Sequence, residues 1–288
     1  MSPFFKHQAL VIFLVIMTHS ANASDLIRYI DSKEYPDPKQ AYFVDLLTLV
    51  LEVTKSEYGD YILRSEPTEM SQGRTSLMLD RNEVIDITWR MTTRDLEQKS
   101  QAIYFPILKG LMGHRIFIIR KKDQNIFSKN LSLMKLKKID LAQGHNWPDS
   151  EILLSNDFTV FKGEHIYFLE MLKKGRFDYY PRGLHEPWVE ISNEPELAVE
   201  ENFMIKYPAP MFFFVNKKNK RLQQRLELGL NKLLKSGEFD KFFQNHPITS
   251  GILTKAKVNK RTVFTLNNPL LSEKSKELLT DERLWIRF

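Results

Sequence analysis

The 288-residue chain contains no cysteine, so neither disulfides nor thiolate chemistry contributes to its fold or function. Glycine is sparse, at 11 residues, and nowhere gathers into a phosphate-cradling loop; a Gly-x-Ser-x-Gly elbow is also missing. His114, His145, His165, His185 and His246 share no i,i+4 or paired spacing, so no metal and no cofactor is expected. No two acidic residues stand out as a catalytic couple. Beyond the N-terminus no apolar run approaches the ~20 residues that span a bilayer, so stable membrane insertion is not expected.

The N-terminus does have a pattern. Lys6 and His7 precede the apolar run Ala9–Met17, and Ala21-Asn22-Ala23 supplies the small residues of a cleavage site. The run is about half of a membrane span, which identifies residues 1–23 as a cleavable signal peptide. Removing 23 of the 288 residues leaves 265, enough for two units with real cores. Lys6 leaves with it, so the net charge of +6 becomes +5. The remaining Lys and Arg residues are spread along the chain, which fits an anionic ligand or an envelope surface; no nucleic-acid partner is expected.

Periodicity then places the elements. Strands are expected over 25–30, 61–63 and 84–89. Between them lie a helix opened by Asp37-Pro38, with Val44, Leu47, Thr48 and Leu51 on one face, and a helix from Ser71 to about Arg81. This βαβαβ order implies a parallel sheet with right-handed crossovers. After a helix near 95–101 and a break at Gly110–Gly113, an apolar strand at 115–120 opens a second unit. Its strands are expected over 139–142, 159–161 and 177–180, its helices over 148–155 and 165–174. A strand at 211–215 follows. Leu222, Leu226, Leu230, Leu233 and Leu234 form a helical core stripe ending at Gly237, and Phe239, Phe242 and Phe243 a short amphipathic helix. Residues 248–288 carry no readable pattern.

Several phrases in this order resemble the family 3 extracellular solute-binding proteins. They are Ile85-Asp86-Ile87-Thr88-Trp89 with Tyr104-Phe105-Pro106, then Lys174-Gly175-Arg176-Phe177-Asp178, then Asn219 through Leu230 to Phe239. Gln72-Gly73-Arg74, Trp147-Pro148-Asp149 and Tyr180-Pro181-Arg182-Gly183 are similar to a divergent branch described as transporter substrate-binding-domain proteins. The resemblance implies a two-lobed α/β type II periplasmic-binding-protein fold, with two mixed or parallel sheets joined by a two-strand hinge. It places the first lobe over 24–110 and 205–288, the second over 111–204, and the crossovers near 108–113 and 199–207. The expected role is non-enzymatic capture of a small polar or anionic solute, in the periplasm, for an inner-membrane ABC permease or a sensor.

Within that frame the cleft is expected to draw on Thr88, Trp89 and Thr92 after the third strand, and on Arg74 in the first turn of its helix. Trp89 reads equally as a core plug. Amino-acid-binding members of the family grip the ligand carboxylate with an Arg; here Leu96 stands at that place, and either Arg94, two residues earlier, substitutes from a shifted turn or the clamp is absent. In the second lobe Gln143 and Trp147 flank a strand-to-helix turn. Arg182 and Glu186 lie where relatives put the acid that holds a ligand amine; an Arg there points to an acidic ligand, or the two form a structural ion pair. Two alternatives stand beside this reading. One is a dehydratase-type enzyme on the same scaffold, with Glu186 as its acid. The other is a ligand-free partner of a membrane receptor.

Overall fold

The structure is a computed structural model that describes residues 24–31, 39–68, 70 and 72–287. The expected signal peptide, the Asp37-Pro38 helix start and the Ser71 cap lie outside these residues. Two sheet-based halves make up the chain. In the first, β1 (Asp25–Ile30) pairs in parallel with β2 (Tyr61–Glu66) across the helix Gln40–Glu52. That helix buries Phe43, Leu46, Leu47, Val50 and Leu51; Val44 and Thr48 sit at the edge of the stripe rather than within it.

β3 (Ile87–Met91) does not extend the parallel pair. It runs antiparallel to β11 (Met211–Val215), whose other edge takes β4 (Gln101–Ile103). The junction with β1 is made instead by Asp86. Its carboxylate accepts from Arg28 Nε (2.8 Å), Arg28 Nη2 (2.9 Å) and the Arg28 backbone N–H (2.9 Å), replacing a ladder with a charge-assisted fork. The helix Lys220–Ser236 lays Leu222, Leu226, Leu230 and Leu233 into the same core, and Gly237 ends it in the left-handed region at φ 78°. Leu234, assigned to that stripe, is only partly buried.

The second half is built on one seven-stranded sheet. From edge to edge run β12 (Thr262–Thr265), β10 (Phe203–Lys206), β5 (His114–Arg120), β8 (Tyr179–Gly183), β6 (Leu141–Gly144) and β7 (Val160–Gly163), and β9 (Leu197–Val199) also pairs with β5. β6, β7 and β8 are parallel, as their βαβ order requires. β12 corrects the expectation that all of 205–288 belongs to the first lobe: it pairs in parallel with β10 in the second sheet.

The chain crosses between the halves more than twice, and its first two crossings run side by side. The first crossing includes Leu111–Gly113. The second is Tyr207–Pro210, between β10 and β11, a few residues later than expected because β9 and β10 still belong to the second sheet. Tyr207 N–H donates to the Gly113 carbonyl at 2.9 Å, and a Cβ on Gly113 would stand 1.9 Å from the Tyr207 carbonyl oxygen. Only glycine permits that approach.

Candidate functional site

A cleft of about 950 Å³ opens between the halves. Trp89 and Met91 of β3, with Phe43 of the helix Gln40–Glu52, form one wall; Trp147, Tyr180 and Arg182 belong to the other. The first wall is aromatic. Trp89 stacks on Phe43 (centroids 5.3 Å, 20° between planes), and Tyr29 and Phe213 close round it at 5.9 and 6.3 Å. Trp89 is therefore both plug and lining: one edge anchors in the core while the indole remains half-buried at the cleft.

The second wall and the floor are ionic. β8 continues past Tyr180 because Pro181, Arg182 and Gly183 pair with Phe117, Ile116 and Arg115 of β5. That register lifts Arg182 to the strand end. Its guanidinium forks onto Glu190 (Nε–Oε2 2.7 Å, Nη2–Oε1 2.5 Å), meets Glu186 at 3.0 Å, and lies over the Trp147 and Tyr180 rings at 5.0 and 4.9 Å. Lys39, from the first half, reaches across to Glu186 at 3.2 Å and Glu190 at 3.8 Å. Below them Arg115 binds Asp149, which also accepts the Tyr207 hydroxyl, and Arg115 Nη1 stands 3.7 Å from Glu186. Glu186 receives the Gly183 N–H at 2.6 Å.

Burial alone would raise the Glu186 carboxyl, but the permanent cations Arg182, Lys39 and Arg115 overcome it and hold it well below the usual carboxylate range. His185 beside it is pushed down to about 4 by burial, so its ring is neutral at pH 7. Three cations, Lys39, Arg115 and Arg182, thus meet three carboxylates, Asp149, Glu186 and Glu190. Arg182 presents no uncompensated charge, which removes the reason for expecting an acidic ligand.

The other expected residues divide. Gln143 is fully buried in β6 and donates to the Pro181 carbonyl at 2.9 Å, tying β6 to β8 rather than facing the cleft. Thr88 pairs with Phe214 in the sheet, and Thr92, fully buried, donates to Glu97 at 2.6 Å. Arg74 is exposed on its helix, outside the cleft lining. Arg94 donates to the carbonyls of Pro269 (3.0 Å) and Leu271 (3.4 Å) and lines a neighbouring side chamber of about 910 Å³. Lys39, Arg90, Arg115 and Glu190 were not foreseen. Arg90 lines both spaces and bonds Ser76, and burial lowers its guanidinium to about 10.

No family model and no curated protein matches the chain. Solved structures do. The chain is similar to an arginine-specific periplasmic binding protein of Salmonella typhimurium, at 14% identity and a TM-score of 0.55, over 77% of this chain and 98% of that one. An amino-acid ABC transporter substrate-binding protein of Streptococcus pneumoniae bound to L-arginine matches at 14% and 0.55, over 75% and 91%. An ancestral arginine-binding protein bound to glutamine matches at 16% and 0.55, over 77% and 97%. The fold is that of the two-lobed type II periplasmic binding proteins. Among the described residues no helix is long and apolar enough to cross a membrane.

Proposed function

We propose that the chain is a secreted solute-binding protein of the family 3 type, delivering a small polar solute to an inner-membrane permease or a sensor. The observation that carries this is the cleft itself: Trp89 and Trp147 line the same space from opposite halves, above a floor whose charges are already matched. Planar apolar walls over fixed dipoles are what small-molecule sites use to bind and orient. A neutral floor suits a zwitterion or an uncharged polar solute better than a bare anion, because an added net charge there would have to displace Lys39 or a carboxylate. The residue 1–23 pattern supports export to the periplasm. Residues 24–110 form the first lobe and 111–204 the second. The remainder is shared, with β11 and the helix Lys220–Ser236 in the first lobe and β12 in the second.

The dehydratase alternative loses its acid. A Glu186 carboxyl held well below the usual range is ionised at neutral pH and has no proton to give. The deciding experiment is a thermal-shift panel of amino acids, sugars, polyols and dicarboxylates. A true ligand at a hundred times its Kd adds about 2.7 kcal/mol, which raises Tm by about 5–10 °C for a chain of this size. Stoichiometric stabilisation without chemical change in the solute supports the proposal. A panel that shifts nothing favours the ligand-free receptor partner, and product formation favours the enzyme.

A further inference from the structure

The segment after β12 belongs to neither half alone. On the second-lobe side, Leu266 N–H donates to the Lys206 carbonyl at 2.8 Å, and Asn156 Nδ2 donates to the Asn267 carbonyl at 2.8 Å. Asn268 Nδ2 then binds the Pro208 carbonyl at 2.7 Å, on the second crossover. Within the next three residues the segment is fastened to the first lobe. Arg94 N–H donates to the Leu270 carbonyl at 2.8 Å and its guanidinium takes the carbonyls of Pro269 and Leu271; further along, Ser275 Oγ donates to Glu97 at 2.7 Å. The segment ends on the first crossover. Ile286 N–H donates to the Lys109 carbonyl at 2.8 Å, Lys109 Nζ to the Arg283 carbonyl at 2.5 Å, and Trp285 lies on Gly110 so closely that a Cβ there would meet its ring at 2.6 Å.

We infer that residues 266–287, which follow the two side-by-side crossings and the return of the chain to β12, are a further connection between the lobes, a tether that limits how far the cleft opens. The physical argument is chain length. From Asn267, held by the second lobe, to Leu270, held by the first, there are three residues, and three residues span at most about 10 Å when fully extended. A two-crossover hinge leaves opening to the dihedral freedom of its strands; a short strap fixed at both ends adds a hard stop on its own side. Pro269 and Leu270 line the side chamber together with Arg94 of one lobe and Trp147 of the other, so the strap sits at the rim where separation would be felt. The inference stands whether or not the cleft holds a solute.

The absence of native cysteine makes the test direct. Spin labels at Asp80→Cys, on the helix Gln72–Arg81 of the first lobe, and Glu164→Cys, just after β7 of the second, report the interlobe distance by pulsed dipolar spectroscopy. Six Gly/Ser residues inserted between Asn268 and Pro269 lengthen the tether without removing a contact residue. The expected result is a broader distribution with a mean longer by more than about 5 Å, since six residues add up to about 20 Å of reach. Arg94→Ala with Asn156→Ala, in the original chain length, is expected to shift it the same way by less. Unchanged distance distributions in both, with circular dichroism showing the fold intact, overturn the inference. If the insertion unfolds the chain, the paired alanine variant decides alone.

Discussion

The two walls of the cleft are made of different physics. On the first lobe a Trp-Phe-Tyr-Phe cluster is held by packing, and its indole is an extension of the core. On the second lobe the same space is bounded by an ion network in which each partner is fixed by two others, Arg182 by Glu186 and Glu190, Arg115 by Asp149 and Glu186. The apolar wall tolerates reshaping because its contacts are numerous and weak. The ionic wall does not, because removing one member leaves a buried charge uncompensated. One lobe offers shape, the other orientation.

The sharpest way to break this contrast is Arg115→Ala. It leaves Asp149 buried without its cation, and about 3–5 kcal/mol of stability should be lost, with chemical denaturation as the measure. A loss below about 1 kcal/mol would show that the floor is hydrated and not a closed network. Trp89→Ala on the opposite wall is expected to cost about 3 kcal/mol through the cavity it leaves among Phe43, Tyr29 and Phe213. Trp89→Phe should recover most of it, whereas Arg115→Lys, lacking the planar fork, should recover little.

A third test uses protons. His185 and His114 are both depressed to about 4 by burial. The unfolded chain takes up these protons near pH 6.5 and the folded chain only near 4. Stability they preserve is thus complete above pH 6.5 and drains away as pH falls through that window, by about 3 kcal/mol for each at its lower end. Glu186, depressed instead by its cations, adds stability that persists through this window and fails only in stronger acid. Denaturation midpoints at pH 7 and pH 4.5 should converge in the His185→Gln variant relative to the parent. Equal pH slopes in both would show that His185 is solvated.

How much of this was legible depended on what carried the information. Elements with their own period were readable: the Leu222–Leu233 stripe, β11, and the βαβ order of the second lobe. Trp89 and Trp147 were readable as core or cleft aromatics, but Trp89, expected at the end of its strand, is the middle residue of β3, and Trp147 stands just before the helix Pro148–Leu154. The ionic wall was readable only in part. Arg182 and Glu186 sit four apart and suggested a pair, but Glu190 lies eight residues on, and Lys39 comes from the other lobe. Arg115 looked like the polar start of an apolar strand. Its signal, a cation at a crossover with an Asp just after a Trp-Pro helix start, has no fixed spacing. Arg94, two residues before the place of the family's carboxylate clamp, either substitutes for it or leaves the clamp absent by sequence; in the fold it holds main-chain carbonyls of the tail. That tail was opaque because its contacts fall one at a time on both lobes and so impose no repeat.

The smallest expected change in stability is the most informative about function. Trp147 lies over Gly144, where a Cβ would meet its ring at 2.6 Å, with His165 at 5.3 Å and the Arg182 guanidinium on its face. It is half-buried, and truncation removes stacking rather than a charge partner, so Trp147→Ala should cost only about 1–2 kcal/mol. If solute recognition needs a planar wall on both lobes, the same change should erase the ligand-induced rise in Tm. Trp147→Phe should keep part of it. An undiminished ligand shift in Trp147→Ala would mean that the ionic wall orients and holds the solute without an aromatic face, and that the division of labour between the lobes is complete.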